Sequence, residues 1–175
     1  MMFVEKWDVL DEYGHRTGRT VLRGQGKLKP GEYHLVVHIW IVSDNGKFLL
    51  QRRADDKKLM PGEWAATGGA AVAGEDSATA AKRELYEELG ISTEDNNFIK
   101  LCRFKRRNSL LDVWIVTFNC DQTTLKLQKS EVAEVKWVTP SELSSMIENG
   151  EFHNYGSEYF DTLFEEIDNY RGAFI

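Results

Sequence analysis

The chain is poor in cysteine, with Cys102 and Cys120 its only two in 175 residues. Two thiols do not make a disulfide framework, and each sits in an apolar run, where a reduced thiol packs as a small hydrophobe. No stretch of 18 apolar residues occurs, so no helical membrane span is expected. No apolar run follows a basic N-terminal segment, so no secretion signal is expected either, and the expected location is cytoplasmic. Positive charge is also short: 22 Lys and Arg stand against 28 Asp and Glu, a net charge of −6. That balance gives no general attraction to a nucleic acid polymer or to a membrane surface. Repeats and low-complexity tracts are missing. What remains is an ordinary globular composition, 42% hydrophobic and 29% charged, of a length that suits one domain. That domain is read as residues 1–175, with 1–30 as an N-terminal hairpin extension and 31–170 as the core.

Hydrophobic patterning alternates short strands with three helical stretches. Residues 3–13, with Trp7 and Val9, pair with Val21-Leu22 in an opening hairpin. Residues 34–42 (HLVVHIWIV) are nearly all apolar, as in a strand buried on both faces. Asp44-Asn45-Gly46 turns the chain and residues 47–53 return as the second arm of a hairpin. Residues 54–62 read as a polar loop before Trp64, a packing residue. Strands are expected at 98–104 and 110–120, joined by the basic turn Lys105-Arg106-Arg107-Asn108, and at 135–138. Helices are expected from Asp76 or Ser77 to Gly90, from Pro140 to about 149, and over about 157–170. In the last, Tyr159, Phe160, Leu163, Phe164 and Ile167 recur at helical spacing.

The chemistry concentrates in residues 69–91, GAAVAGEDSATAAKRELYEELGI. Glu84, Glu87 and Glu88 fall three and four apart on the helix, so their Cβ atoms lie about 5–6 Å apart. At an effective dielectric near 20, each like-charged pair costs roughly 3 kcal/mol. A divalent cation relieves that repulsion, and all-oxygen ligands suit Mg2+ or Mn2+ rather than zinc. Ala78, Ala81, Leu85 and Leu89 form a narrow apolar stripe opposite much of the acid patch. Arg83 lies four residues before Glu87 and can orient it. Asp76 or Ser77 is the expected N-cap and Gly90 the C-terminal stop. Gly68 and Gly69 lack side chains, which lets a backbone carbonyl approach a metal. Arg52 and Arg53 end the second central strand on opposite faces, so one of them is expected to face the site; Arg52 is taken as a phosphate-holding candidate through a forked contact. Arg106, in the basic turn, is a second substrate-binding candidate.

The residues Gly69, Glu75, Arg83, Glu84, Leu85, Glu87, Glu88, Gly90 and Ile91 fill every fixed position of a glycine, five residues, glutamate, seven residues, Arg-Glu-aliphatic-x-Glu-Glu-x-Gly-aliphatic pattern. The segment resembles the Nudix hydrolase signature without departure. The resemblance implies an α/β/α sandwich around a mixed β-sheet, and hydrolysis of a diphosphate linked to a further group X, here of nucleoside-diphosphate type. It implies metal ligation by Glu84, Glu87 and Glu88, with the Gly68 carbonyl as a further ligand. Glu84 or Glu87 then helps deprotonate the attacking water, and Arg83 completes the catalytic set as a positioning residue with Glu75. It also implies a further carboxylate from a neighbouring strand, either Asp112 or Glu131, with Asp112 preferred. The partner is a small-molecule diphosphate, and homodimers are common in the family.

WDVLDEYG, KPGEYH and PGEW, within about residues 5–140, resemble a narrower branch that holds isopentenyl-diphosphate isomerase and related hydrolases. Gly69 stands where those isomerases carry a catalytic cysteine, Ala71 near a histidine, and Lys27 about where another histidine would be. His34 alone survives, read as buried or supporting the ligands. Hydrolysis is therefore expected over isomerisation, with nucleotide sensing without turnover as a further alternative. Arg106, Trp114, Phe152 and Tyr155 are the candidates to meet X.

Overall fold

The computed structural model describes residues 4–172; residues 1–3 of the expected N-terminal extension, and residues 173–175, lie outside it. In chain order the elements are β1 (Lys6–Leu10), β2 (Arg16–Leu22), β3 (His34–Val42), β4 (Phe48–Arg53), β5 (Trp64–Ala65), β6 (Thr67–Ala70), α1 (Ser77–Leu89), β7 (Phe98–Lys105), β8 (Ser109–Thr117), β9 (Val132–Val138), α2 (Pro140–Glu148) and α3 (Ser157–Gly172). The most apolar run becomes the centre of the sheet. The last six residues of β3 are all buried. β3 runs parallel to β8 and antiparallel to β4 and β6. β5 and β9 pair antiparallel with β4, and β7 with β8. The seven-stranded sheet is therefore mixed, and β1 and β2 form a separate antiparallel pair.

Alternation along β3 sends successive side chains to opposite faces. Val37, Ile39 and Ile41 pack with Ala80, Ala81, Leu85 and Leu89 of α1. Trp40 and Val42 pack with Leu143 and Met146 of α2 and Phe160, Leu163 and Ile167 of α3. The result is the α/β/α sandwich around a mixed sheet that the sequence implied. At about 25 cal/mol per Å2, each buried large side chain contributes roughly 1.5–3 kcal/mol, so both helix layers are held mainly by these stripes.

Thr67-Gly68-Gly69-Ala70 is a strand, although glycine is depleted in strands; its register sets Gly68 opposite His38 and Gly69 opposite Val37. Other local readings are corrected. β9 starts at Val132, three residues before the expected 135, and β8 ends at Thr117 rather than 120. The buried stripe of α1 is Ala80, Ala81, Leu85, Glu88 and Leu89; Ala78 is only half-buried. Glu88 therefore belongs to the packed face rather than to an acid patch opposite it.

Candidate active site

Helix α1 is fixed at both ends. The Asp76 side chain accepts from the Thr79 N–H at 2.8 Å, and Gly90 takes the left-handed conformation (φ 70°) while its N–H bonds Tyr86 O at 2.8 Å. With the helix clamped on the sheet through Leu85 and Leu89, its glutamates grade in exposure. Glu88 is 3% exposed, whereas the side chains of Glu84 and Glu87 are 13% and 48% exposed. Burial pushes the Glu88 carboxyl up to about 8, Glu84 and Glu131 add to the rise, and a hydrogen bond from Gln51 and the charge of Arg53 oppose it. Burial also raises Glu84, against the pull of Arg83.

Of the two glycines of β6, Gly69 leaves room for the Glu84 carboxylate and Gly68 for the backbone of β3. A Cβ on Gly69 would lie 2.3 Å from Glu84 Oε1 and 2.8 Å from Oε2; one on Gly68 would lie 2.2 Å from the Val37 carbonyl oxygen. Arg83 organises the acids. It forks onto Glu75 (Nε to Oε1 2.7 Å, Nη2 to Oε2 3.0 Å), donates from Nη1 to Glu84 Oε1 (3.0 Å) and Glu87 Oε2 (3.1 Å), and reaches the Ala70 carbonyl (3.1 Å). Its guanidinium pKa is raised, first by the hydrogen bonds to Glu75.

A divalent ion fits this donor set. Glu88 Oε2 is shut from solvent and has no hydrogen-bond partner, and a buried unpaired carboxylate oxygen is costly unless a cation meets it. The donors are hard oxygens, as Mg2+ or Mn2+ prefer. Among the described residues no three His, Cys, Asp or Glu side chains are already drawn together around one point, and Arg83 stands between Glu84 and Glu87 in the arrangement seen.

Beside the glycines opens a cavity of about 470 Å3 whose lining includes Gly68, Gly69, His38, Arg53, Arg106 and Tyr155. Arg106 makes no ion pair among the described residues. His153 also lines it, its Nδ1 2.8 Å from Glu63 Oε2.

Several expected site residues lie elsewhere. Arg52 is turned away from the cavity, its Nε 2.9 Å from Glu134 and its Nη1 2.8 Å from Asp55; strand alternation gives the inward position to Arg53. Asp112 is a poor metal ligand. It is fully buried and forked by Arg103 at 2.6 and 2.9 Å, with Lys100 at 3.0 Å. Burial would raise its carboxyl, but hydrogen bonds from Arg103, Ser77 and Lys100 leave it lowered. The cause is register: Arg103 lies directly opposite Asp112 on β7, and Ser77 is two helical turns from Glu84. Glu131, the other candidate, acts on Glu88 and pairs with Lys57 at 2.6 Å. Trp114 donates to Ser77 on the α1 side, and Phe152 is core. Only Tyr155 and Arg106 of the candidates for X line the cavity. His34 stacks on Trp7 at 4.0 Å, and burial lowers its pKa to about 4. Trp64 packs under Lys136, whose Nζ is 4.3 Å from the ring centroid.

His38, His153 and Gln51 are site-lining or site-adjoining residues that sequence reasoning passed over. His38 carried one signal: a lone histidine inside an apolar strand, on the face of Trp40.

The class defined is an α/β/α-sandwich protein with a buried acid pair on the helix packed against Gly69, and a cavity beside that glycine that bears two arginines. The chain belongs to the Nudix hydrolase family: the NUDIX domain family model matches residues 32–159. Over 87% of its length it is 39% identical to a Nudix hydrolase of Listeria monocytogenes, covering 90% of that protein. It is 36% identical to Nudix hydrolase 3 of Arabidopsis thaliana over 83% of its length, which is 21% of that longer chain. Among solved structures, DR0079 from Deinococcus radiodurans matches with a TM-score of 0.73 at 23% identity, covering 90% of this chain and 97% of that one. The NUDIX domain of Shewanella oneidensis NrtR, solved with ADP ribose, matches with a TM-score of 0.60 at 18% identity, over 77% and 88% of the two chains.

Proposed function

We propose that this protein is a metal-dependent diphosphohydrolase acting on a nucleoside-diphosphate-linked substrate, X being held in the cavity beside Gly68 and Gly69. The observation that carries the reading is the buried Glu88 carboxyl, with one oxygen unpartnered, on the same helix as Glu84, which lies against Gly69 in the lining of the cavity that bears Arg53 and Arg106.

Glu84, Glu87, Glu88 and the Gly68 carbonyl would hold Mg2+ or Mn2+, with Glu131 as the further carboxylate. When bound, such an ion lowers the pKa of water and neutralises charge on the departing phosphate. The chain's own groups do the rest. Glu84 or Glu87 accepts the proton of the attacking water at a carboxylate oxygen. That water's oxygen bonds to phosphorus, the bridging P–O bond breaks, and the proton ends on a product phosphate. Arg83, anchored on Glu75, holds Glu84 and Glu87 in place. Arg53 and Arg106 bind phosphate oxygens, to which guanidinium forks are suited. Neither cysteine lines the cavity, which leaves isomerase chemistry without a thiol.

The test is hydrolysis of a panel of nucleoside diphosphates and triphosphates, ADP-ribose, sugar nucleotides and isopentenyl diphosphate, with and without Mg2+. Release of a nucleoside monophosphate that requires Mg2+ and vanishes in Glu87→Gln and Glu88→Gln supports the proposal. Binding heat with no product would move the protein to the nucleotide-sensing class, and proton exchange into isopentenyl diphosphate would move it to the isomerases.

A further inference from the structure

His38, in the lining of the cavity beside Gly68, ends a polar chain that the hydrolysis reaction does not use. Trp40 Nε1 donates to Tyr159 Oη at 2.9 Å, and the same hydroxyl lies 2.8 Å from His38 Nδ1. Trp40 and Tyr159 are buried, at 1% and 3% exposure. The indole nitrogen is a donor only, so Tyr159 Oη accepts from it and has one proton of its own to place. Among the described residues His38 Nδ1 is the acceptor in reach. The opposite arrangement, with Nδ1 protonated and donating, would strand the tyrosine proton inside the core, where unpaired donors are rarely tolerated. The relay therefore runs Trp40 to Tyr159 to His38, and the proton of the neutral imidazole sits on Nε2.

That nitrogen has no partner among the described residues, yet it is not among the polar atoms shut from solvent. His38 is 8% exposed and lines the cavity. Its ring edge lies against Gly68: a Cβ there would be 3.0 Å from His38 Cδ2. The Tyr155 ring packs on it at 4.7 Å between centroids. Three aromatic residues thus fix one N–H donor at the inner wall, a few ångströms from the glycines. Arg106, unpaired, faces the same space.

We infer that His38 is a substrate-binding, specificity-determining residue: the Trp40–Tyr159 relay holds it as the Nε2–H tautomer, and it donates that proton to an acceptor oxygen of X. This rests on the proposal that X of a diphosphate substrate occupies the cavity. It deepens that proposal by naming the chemistry of X. A fixed, half-sequestered N–H favours an oxygen-rich group such as a ribosyl unit. It disfavours an apolar prenyl chain, which would cover the donor without pairing it. Sites built to hydrogen-bond a substrate reject analogues that lack the partner far more strongly than apolar pockets reject added groups.

The experiment uses the full chain with two probes, ADP-ribose and isopentenyl diphosphate. 15N NMR of the imidazoles, assigned with His38→Gln, should show His38 neutral with Nε2 protonated. Adding ADP-ribose with Ca2+ in place of Mg2+ should shift the Nε2–H resonance and slow its exchange with water, and isopentenyl diphosphate should not. In steady-state hydrolysis, His38→Phe should raise KM for ADP-ribose about tenfold with little change in kcat, and His38→Gln, whose amide reaches the Nε2 position, should restore most of the loss. Thermal melts of both variants separate this from a folding defect. A Nδ1-protonated His38 overturns the inference, as does an Nε2–H resonance indifferent to ADP-ribose or an unchanged KM in a folded His38→Phe. If ADP-ribose moves the resonance but is not cleaved, the inference stands and the hydrolase reading falls.

Discussion

Gly68 and Gly69 are neighbours on β6, yet replacing each by alanine should fail in a different way. A Cβ at 69 meets Glu84 Oε1 at 2.3 Å and its carboxyl carbon at 2.5 Å. These atoms end a flexible side chain, so the carboxylate can retreat by about 1 Å to ordinary contact. Displacing a reactive group by about 1 Å costs on the order of 100-fold in rate, while the fold pays little. A Cβ at 68 meets the Val37 carbonyl oxygen at 2.2 Å and the His38 Cα at 3.2 Å. Both belong to the backbone of the central strand, which cannot move without disturbing β8 and β4. Overpacking of this kind costs typically 1–3 kcal/mol or more, about 2–4 °C of Tm per kcal/mol for a chain of this size. Gly69→Ala should therefore keep its melting temperature within about 2 °C and lose about 100-fold in kcat/KM. Gly68→Ala should melt roughly 5–10 °C lower. Differential scanning calorimetry and Mg2+-dependent hydrolysis read the two effects separately. Wild-type turnover in Gly69→Ala, or equal destabilisation by the two variants, would refute the placement of Glu84 against the glycine gap.

Glu88→Gln should abolish activity and yet stabilise the metal-free protein. A carboxyl raised to about 8 in the fold, against about 4.3 in the unfolded chain, binds more protons folded than unfolded between those values, so wild-type stability falls as pH rises through that window. The variant should then melt higher than wild type at pH 8 in chelator, the gap closing toward pH 5 and on addition of Mg2+ to the wild type; equal melting at pH 8 would contradict the burial. Asp112→Asn should keep activity within about threefold but lose roughly 3 kcal/mol, since Arg103 and Lys100 would be left with a buried uncharged partner. Because the folded Asp112 carboxyl is lowered, that stability is present above the unfolded pKa and is lost as pH falls through the folded one, so the two proteins should converge in acid melts. Arg53→Met should raise KM by about 10- to 100-fold, the range of a hydrogen bond to a charged group. Arg52→Met, which breaks only the pairs to Glu134 and Asp55, should leave KM unchanged; the reverse order would restore Arg52 to the site.

What could be read in the sequence was what repeats with a fixed period. The nine-residue apolar run became β3 with the expected ends, and the alanine–leucine spacing of α1, its Asp76 cap and its Gly90 stop follow from local rules. The acids were legible because helical spacing alone puts Glu84, Glu87 and Glu88 together. What was not legible depended on partners far along the chain. Asp112 looked available until β7 set Arg103 across from it, and Glu88 read as part of an acid patch opposite the apolar stripe until the fold buried it among that stripe. A glycine pair in a strand has no propensity signal at all, because the reasons for it are the Glu84 carboxylate, fifteen residues beyond Gly69, and the β3 backbone against Gly68. His38 is intelligible only once α3 delivers Tyr159, more than a hundred residues later.

The electrostatics of α1 explain why one residue type recurs so densely in this segment. Three carboxylates on two turns repel, and one of them is buried, so the helix would be expected to unwind or shed its charge. Two local devices hold it instead. Arg83 supplies one guanidinium to three acids at once, Glu75, Glu84 and Glu87, at 2.7–3.1 Å. Glu88, beyond its reach, lies in the apolar stripe and has its proton held to higher pH. A lysine at 83 would keep the charge but lose the fork on Glu75, and with it the anchor that fixes where the guanidinium meets Glu84. The helix is thus folded in a state with one acid oxygen left unpartnered, and the free energy of meeting that oxygen is available to whatever cation enters. Under the proposed metal dependence, an ion meeting Glu88 would displace a proton, so affinity for Mg2+ should rise with pH until Glu88 is ionised without it.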